Sequence, residues 1–483
     1  MSDQPALLRL GLAAGKLATA RRHALLQGSP ARRHQALLSL CDTDNRRFAA
    51  TGWLCQAGGR GTGARQETIA VAAVPLAEAP ALEDGLALET LADLRRSAHG
   101  YSLLWNGHDI AIDITKLTLR CDGRSADDGE ILLQGPAGAG PALRALAAEL
   151  CADLPLRWTG PAPLVHLATE LGLIEPQPQR AGNLAFDLNE DGDAAAACGA
   201  ILYHCLLQFD ANLLPVLRDR NVEGVHQMRV ALRRLRSALG LFAPVLDQAR
   251  VAPLVQELRW LNDPLGRKRD LDVFLAETLS PLRRELDDVK ALQHLGIILE
   301  DRRAAAQVAL DSALRSPRLA AMRLGFARLA DAVADGTALA DAAQAALPAD
   351  RFAAAVLQRR RRKVKKLGRQ HADLAIESLH ELRIRAKKLR YAAEFFRPLF
   401  SKKDTRRFIA ALSRLQDCLG ALNDADVGGR LVRDLLPDAG HGAATAAITA
   451  WFAGRQQLQL AQLGDAWESL DAIRPFWKDA LKD

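Results

Sequence analysis

Two histidines head two basic segments whose charged side chains recur at one spacing. His226, Arg229, Arg233 and Arg236 stand 3, 4 and 3 residues apart, and so do His380, Arg383, Lys387 and Arg390. That period puts each set on one face of an α-helix, on successive turns. Cations stacked in this way repel one another, and neither stripe includes a carboxylate to offset them. Arginine forks contact phosphate oxygens in pairs, lysines supply point charge, and an imidazole gains its proton beside a polyanion. The chemistry is therefore binding of a ligand with several negative groups. Arg234 flanks the first stripe, and Arg385 and Lys388 flank the second, as further candidate contacts. A single basic helical face is most often only a solvated surface; recurrence in register is what favours an anion site.

The elements that must hold these stripes are also legible. Val225, Met228, Leu232, Leu235 and Leu239 follow the spacing of a buried helical seam, one position behind the first stripe. Leu379, Leu382, Ala386, Leu389 and Ala393 do the same for the second. His226 and His380 are 154 residues apart, and that offset also relates Phe242 to Phe396, Pro244 to Pro398, Leu261 to Leu415 and Asp270 to Asp424. A register shared over so long a span indicates a duplicated unit. Asp270, Asp272, Asp424 and Asp426 follow Leu-Gly in both copies. They are read as structural acids that orient nearby arginines, and not as a metal or acid–base site.

Charge is unevenly placed. Residues 1–180 carry 18 Lys+Arg against 19 Asp+Glu, whereas the remainder carries 46 against 38. The basic character belongs to the later part, where an acidic polymer would bind. Seven scattered cysteines without a Cys-x-x-Cys pair read as free buried thiols in a reducing compartment. The opening Met1-Ser2-Asp3-Gln4 lacks a secretory pattern and no uninterrupted apolar run would span a bilayer. The expectation is a soluble cytoplasmic protein. Gly11-Leu12-Ala13-Ala14-Gly15-Lys16 is too short for a phosphate-binding loop, and no His-Glu-x-x-His or Gly-x-Ser-x-Gly occurs. No catalytic residue, metal ligand or cofactor is assigned.

A break falls at Glu175-Pro176-Gln177-Pro178. Before it, Ile110, Ile112 and Ile114 alternate with polar or small residues, Asp122-Gly123 supplies a turn, and Glu130 to Leu133 reads as the return strand. Thr68 to Val74 predicts another strand, and Ala142–Cys151 and Pro163–Leu173 predict helices. After the break nearly everything is helical. Asp350 is the expected N-cap of a helix starting at Arg351. That helix carries Arg359, Arg362, Lys363 and Lys366, read as secondary anion contacts.

At this point the chain resembles the CHAD domain family. His226 to Arg236 with Leu265 to Val273 resemble the family's first half, and His380 to Tyr391 with Gln416 to Val427 its second. The resemblance implies two pseudo-symmetric helical bundles and a basic surface that binds inorganic polyphosphate. Residues 1–180 more weakly resemble the CYTH, or triphosphate-tunnel, family through Cys41 to Gly52. Active members are antiparallel barrels that hydrolyse triphosphates with a Glu-x-Glu-x-Lys strand and divalent metal. Here the opening strand is Leu8-Arg9-Leu10-Gly11-Leu12, the expected Leu-Arg-x-Arg is Leu54-Cys55-Gln56-Ala57, and only Glu130 survives of the late acidic strand. One glutamate cannot both hold a metal and assist chemistry, so the domain is read as degenerate.

The fold class expected is an all-α C-terminal part of two pseudo-symmetric bundles, preceded by a smaller α+β domain with antiparallel strands. Boundaries are placed at 1–175 for the degenerate domain, 176–192 for a linker, 193–347 for the first bundle and 348–483 for the second. The function expected is non-enzymatic binding of inorganic polyphosphate, with recruitment to polyphosphate granules. The alternatives are triphosphate hydrolysis in the N-terminal domain and nucleic-acid binding or granule scaffolding. Nucleic acid is disfavoured because the stripes interleave no aromatics for base stacking; Tyr391 is the only one near. Oligomeric state stays open.

Overall fold

The computed structural model describes residues 5–42, 53–58, 65–70, 89–160, 163–184, 186–188, 191–285, 290–370, 376–435 and 442–481. Strands β1 (Ala6–Leu12), β2 (Arg32–Asp42), β3 (Trp53–Gly58), β4 (Arg65–Ala70), β5 (Glu89–Trp105), β6 (His108–Cys121) and β7 (Arg124–Gly135) form one antiparallel sheet, ordered β1-β7-β6-β5-β2-β3-β4. β5, β6 and β7 are a meander closed by Asn106-Gly107 and Asp122-Gly123, all four with positive φ. That is the turn chemistry whose twist matches the flanking strands. Leu10, Ile131 and Ile114 stand opposite one another and are buried. They pack against Leu143, Leu146 and Leu150 of helix α1 (Gly140–Asp153). Helix α2 (Pro163–Glu170) covers Leu94, Leu117 and Leu119. The strand expected over Thr68 to Val74 is present as β4 to Ala70, and its remainder lies outside the described residues.

The helical part repeats itself. Helix α3 (Ala194–Ala211), capped by Asp193, leads through α4 (Leu213–Asp219) to α5 (Val222–Leu241), the first histidine helix. Then come α6 (Gln248–Val273), a π-helical turn over Phe274–Leu279, α7 (Ser280–Glu285), α8 (Lys290–Leu314) and α9 (Pro317–Ala334). In the second half α10 (Ala349–Gly368) precedes the second histidine helix α11 (Ile376–Phe395), then α12 (Lys402–Leu435), α13 (Gly442–Ala461) and α14 (Leu463–Asp471). Adding 154 to both bounds of α5 gives those of α11. Packing repeats too: α3 on α5, α5 on α6 and α6 on α8 match α10 on α11, α11 on α12 and α12 on α13.

The halves join where the histidine helices pack together. Phe242 and Phe396, which end these helices and are sequence equivalents, meet edge to face at 6.1 Å. Equivalent residues touching each other mark the local pseudo-twofold relation. Every seam residue, from Val225 to Leu239 and from Leu379 to Ala393, is buried. Each fully buried leucine there contributes about 1.5–3 kcal/mol of transfer free energy, which is why the polar stripe is carried at the surface edge of the seam. Three local expectations are corrected. The cap of α10 is Pro348, and Asp350 sits in the first turn with its carboxylate accepting from the Arg351 amide. Pro163–Leu173 is helical only to Glu170. Ala194–Arg218 is long and apolar enough to cross a membrane, with 78% of its apolar stretch buried inside the protein. A helix so largely buried, with Tyr203 as an exposed exception, has no need of a broad polar face.

The sheet region and the first bundle are locked by charge. Arg323 of α9 donates to Asp210 of α3 at 2.9 Å, Trp158 donates to the other oxygen at 2.8 Å, and Arg323 lies 4.6 Å from the Trp158 ring. Arg144 of α1 pairs with Asp331 of α9 through both oxygens. Leu324 of α9 enters the core beneath the sheet.

Candidate functional site: a cationic seam between two helices

The stripes of α5 and α11 converge. Arg233 is half-buried; burial pushes its guanidinium below the usual range, and Arg229, Arg390 and Arg269 act in the same direction while Tyr391 opposes. Lys387 is lowered to about 7, first by burial and then by Arg383, Arg233, Arg390 and Arg229. Cations of the first helix therefore act on those of the second across the seam. His226 is lowered to about 4 by burial, then Arg269, with Glu223 opposing and Arg233 and Arg229 adding. Among the described residues neither Arg233 nor Lys387 has a carboxylate within ion-pair distance. The Nε atoms of Arg233 and Arg390 are buried without a partner. Desolvated, mutually repelling cations are unfavourable until an anion arrives.

The cations are held in place by the elements around them. Arg229 Nη1 donates to the Gly266 carbonyl at 2.9 Å and to Asp270 at 2.8 Å, both on α6. Arg390 pairs with Glu394 one turn on, at 3.1 Å. The absence of carboxylates from the stripes thus needs correction for these two residues, because their partners come from outside the stripe. Asp270 is a structural acid as expected, and Asp272 pairs with Lys268 in a buried contact. The side chains of Asp424 and Asp426 lie outside the described residues. Arg236 and His380 are exposed, and Arg383 is half-buried.

Other expected contacts are elsewhere. Arg234 is only 3% exposed; it donates to Gln208 at 2.7 Å, meets His204 at 3.2 Å and lies over the Phe395 ring. It is one helical position, about 100°, past Arg233, and that turn carries it into the core between the halves. Arg385 and Lys388 leave the seam for the opposite flank of α11, where they line a groove against α10 with Arg359, Lys363 and Lys366. Arg362 is exposed and is not part of that lining. Sequence reasoning missed Arg269, which adjoins Asp270 and acts on both His226 and Arg233. Its equivalent in the second copy is Asn423, so the repeat hides it.

In the sheet region Glu130 is buried and held by Arg9 at 2.8 Å and Arg96 at 3.6 Å. Asp128, whose carboxyl is raised by burial with Arg157 opposing, accepts from Arg157. Among the described residues no three His, Cys, Asp or Glu side chains are gathered as a metal would require. Of the segment Cys41 to Gly52, on which the resemblance to the triphosphate-tunnel family rests, residues 43–52 lie outside the described residues, and Leu54 to Ala57 belong to β3. Among the described residues Cys41, Cys121, Cys198, Cys205 and Cys418 are buried thiols outside any disulfide, and Cys151 is a partly buried one.

Comparison with known proteins agrees with this architecture. Residues 200–433 match the model of the CHAD domain. The crystal structure of the CHAD domain from the plant Ricinus communis superposes with a TM-score of 0.52 at 31% identity, covering 62% of this chain and 98% of that one. The uncharacterized protein Rv2226 of Mycobacterium tuberculosis is 33% identical over 179 residues, 35% of this chain; the chain spans about a third of that relative's length, 34%. The match to PptA from Streptomyces chartreusis, at 19% identity and a TM-score of 0.43, covers 57% of this chain and 100% of that one. With duplicated histidine helices, a shared fold and a relative matched over nearly its whole length, this chain belongs to the CHAD domain family.

Proposed function

We propose that this protein binds inorganic polyphosphate in the seam between α5 and α11, without catalysing a reaction on it. The observation that carries the reading is the convergence of Arg229, Arg233, Arg383, Lys387 and Arg390, from two helices, into one partly desolvated row. Arg269 and His226 extend the row at one end, and Arg236 and His380 supply exposed cations or donors for the entering chain. A base-free polymer with a negative charge on each repeating unit matches a row that offers charge and donors but little aromatic surface. Each charge-assisted hydrogen bond contributes about 1.5–3 kcal/mol before screening, so repetition along the seam gives affinity. The same chemistry supports a cytoplasmic protein recruited to polyphosphate granules. The CYTH-like sheet is then a degenerate tunnel that serves docking onto the first bundle.

Lys387 gives this reading a pH signature. Its folded value, about 7, lies below the ordinary 10.5. Between those values the unfolded chain holds a proton that the ligand-free folded chain lacks, so this group makes stability rise with pH across that window. A bound polyanion restores the charged amine and reverses the trend. Titration calorimetry at pH 8 in buffers of different ionisation enthalpy is expected to show uptake of about one proton on binding polyphosphate. A Lys387→Met chain should show far less. Equal uptake by both would remove Lys387 from the site.

A second reading, triphosphate hydrolysis in the sheet region, is favoured only by the survival of Glu130. Its carboxylate is already neutralised by Arg9 and Arg96. Tripolyphosphate with Mg²⁺ or Mn²⁺ is therefore expected to yield no phosphate above the buffer blank. Release that Glu130→Gln abolishes would make the protein an enzyme.

A further inference from the structure

The opposite flank of α11 holds a second cationic feature, and its lining differs in kind from the seam. A groove of about 680 Å³ runs between α10 and α11 and reaches the end of α5. That volume falls in the range of small-molecule sites, roughly 300–1,000 Å³. Its walls are Arg359, Arg360, Lys363, Lys366, Arg385 and Lys388, against one lining carboxylate, Glu381, which Arg385 already holds. The walls are braced across the helix pair: Arg360 donates to the Lys388 carbonyl at 2.6 Å, and Arg385 to the Lys363 carbonyl at 3.1 Å. Burial and then Arg359 lower the Arg360 guanidinium to about 10.

The floor is apolar. Ile384 is 40% exposed among these cations, and Pro244, Val356 and Leu241 complete the surface beneath it. Gly240 lies at the groove within the last turn of α5, and a Cβ there would meet nothing within 4 Å. Alanine would favour the helix by about 1 kcal/mol, so packing gives no reason for glycine at this position. Its effect is to keep the groove open.

A bare polyphosphate has no use for an exposed isoleucine. An apolar floor under convergent phosphate donors fits an anion attached to a flat, weakly polar body. We propose that this groove is a separate site for a nucleoside polyphosphate, whose phosphates meet Lys363, Lys366 and Lys388 and whose base lies on Ile384 and Pro244. Arg359 has the planar group that stacks on such a base. This site does not depend on the polyphosphate reading of the seam.

The test is calorimetric titration of the full chain with ATP and with tripolyphosphate, both without divalent metal. ATP should bind at least about tenfold tighter, because tripolyphosphate has the charge and lacks the base. Gly240→Leu, which fills the groove without touching a cation, and Ile384→Ser, which removes the floor, should each weaken ATP at least about tenfold. Ile384→Ser should leave affinity for long polyphosphate within about twofold, as Ile384 lines the groove and not the seam. Equal affinity for ATP and tripolyphosphate would overturn the proposal, as would unchanged ATP affinity in a folded Gly240→Leu chain. If that variant does not fold, Ile384→Ser decides alone. ATP binding here by a chain that ignores polyphosphate would sink the seam reading and leave the groove standing.

Discussion

Replacing Arg323 by alanine is expected to cost about 3–5 kcal/mol, because it strands a carboxylate in the interior. Arg323 and Asp210 are 5% and 3% exposed. With the guanidinium gone, Asp210 keeps only the Trp158 donor at 2.8 Å. Burial already raises this carboxyl, while Arg323 and Trp158 oppose. The variant should therefore hold Asp210 protonated over a wider pH range than the parent does. A group whose folded value is raised stabilises at low pH and loses that contribution as pH rises through the folded value. The deficit should be smaller at pH 4 than at pH 8 in urea unfolding followed by tryptophan fluorescence. Arg323→Met combined with Asp210→Leu should be less damaging than Arg323→Ala, since no buried charge remains. A loss under about 1 kcal/mol at pH 8 would show that water reaches the contact and that Asp210 is not left as an uncompensated buried charge.

The duplicated helices were legible because two signals coincide in them. A 3.6-residue apolar period fixes the buried seam, and the 154-residue offset repeats it. The hairpins of β5, β6 and β7 are partly visible through Ile110, Ile112, Ile114 and Asp122-Gly123. β5 itself is harder to see, since its buried Ala92, Leu94, Ala98 and Tyr101 are diluted by polar and small residues. Partners distant in sequence were not legible at all. Nothing local tells that Arg234 turns inward to Gln208 and His204, whereas Arg233, one position earlier, stays on the seam. Nor does spacing reveal that Arg385 and Lys388 face α10 while Lys387, between them in sequence, faces α5. Periodicity places a residue on its own helix; only the packing of neighbouring helices decides which flank is core, seam or groove.

The most direct test of the seam removes six of its cations together: Arg229, Arg233, Arg236, Arg383, Lys387 and Arg390, each replaced by alanine. Titration with long polyphosphate is expected to show at least about a hundredfold loss of affinity, equivalent to about 2.8 kcal/mol. Either set of three alone should lose less, because the other helix still grips the polymer. The fold should persist. The seam leucines are untouched, Asp270 is 46% exposed so water can replace Arg229 beside it, and relief of repulsion offsets the lost Glu394 pair. Unaltered chain should also prefer polyphosphate over single-stranded DNA of equal charge, with affinity for both falling as salt rises. Unchanged polyphosphate affinity in the folded six-fold variant, or equal or tighter binding of DNA by the parent, would contradict the account.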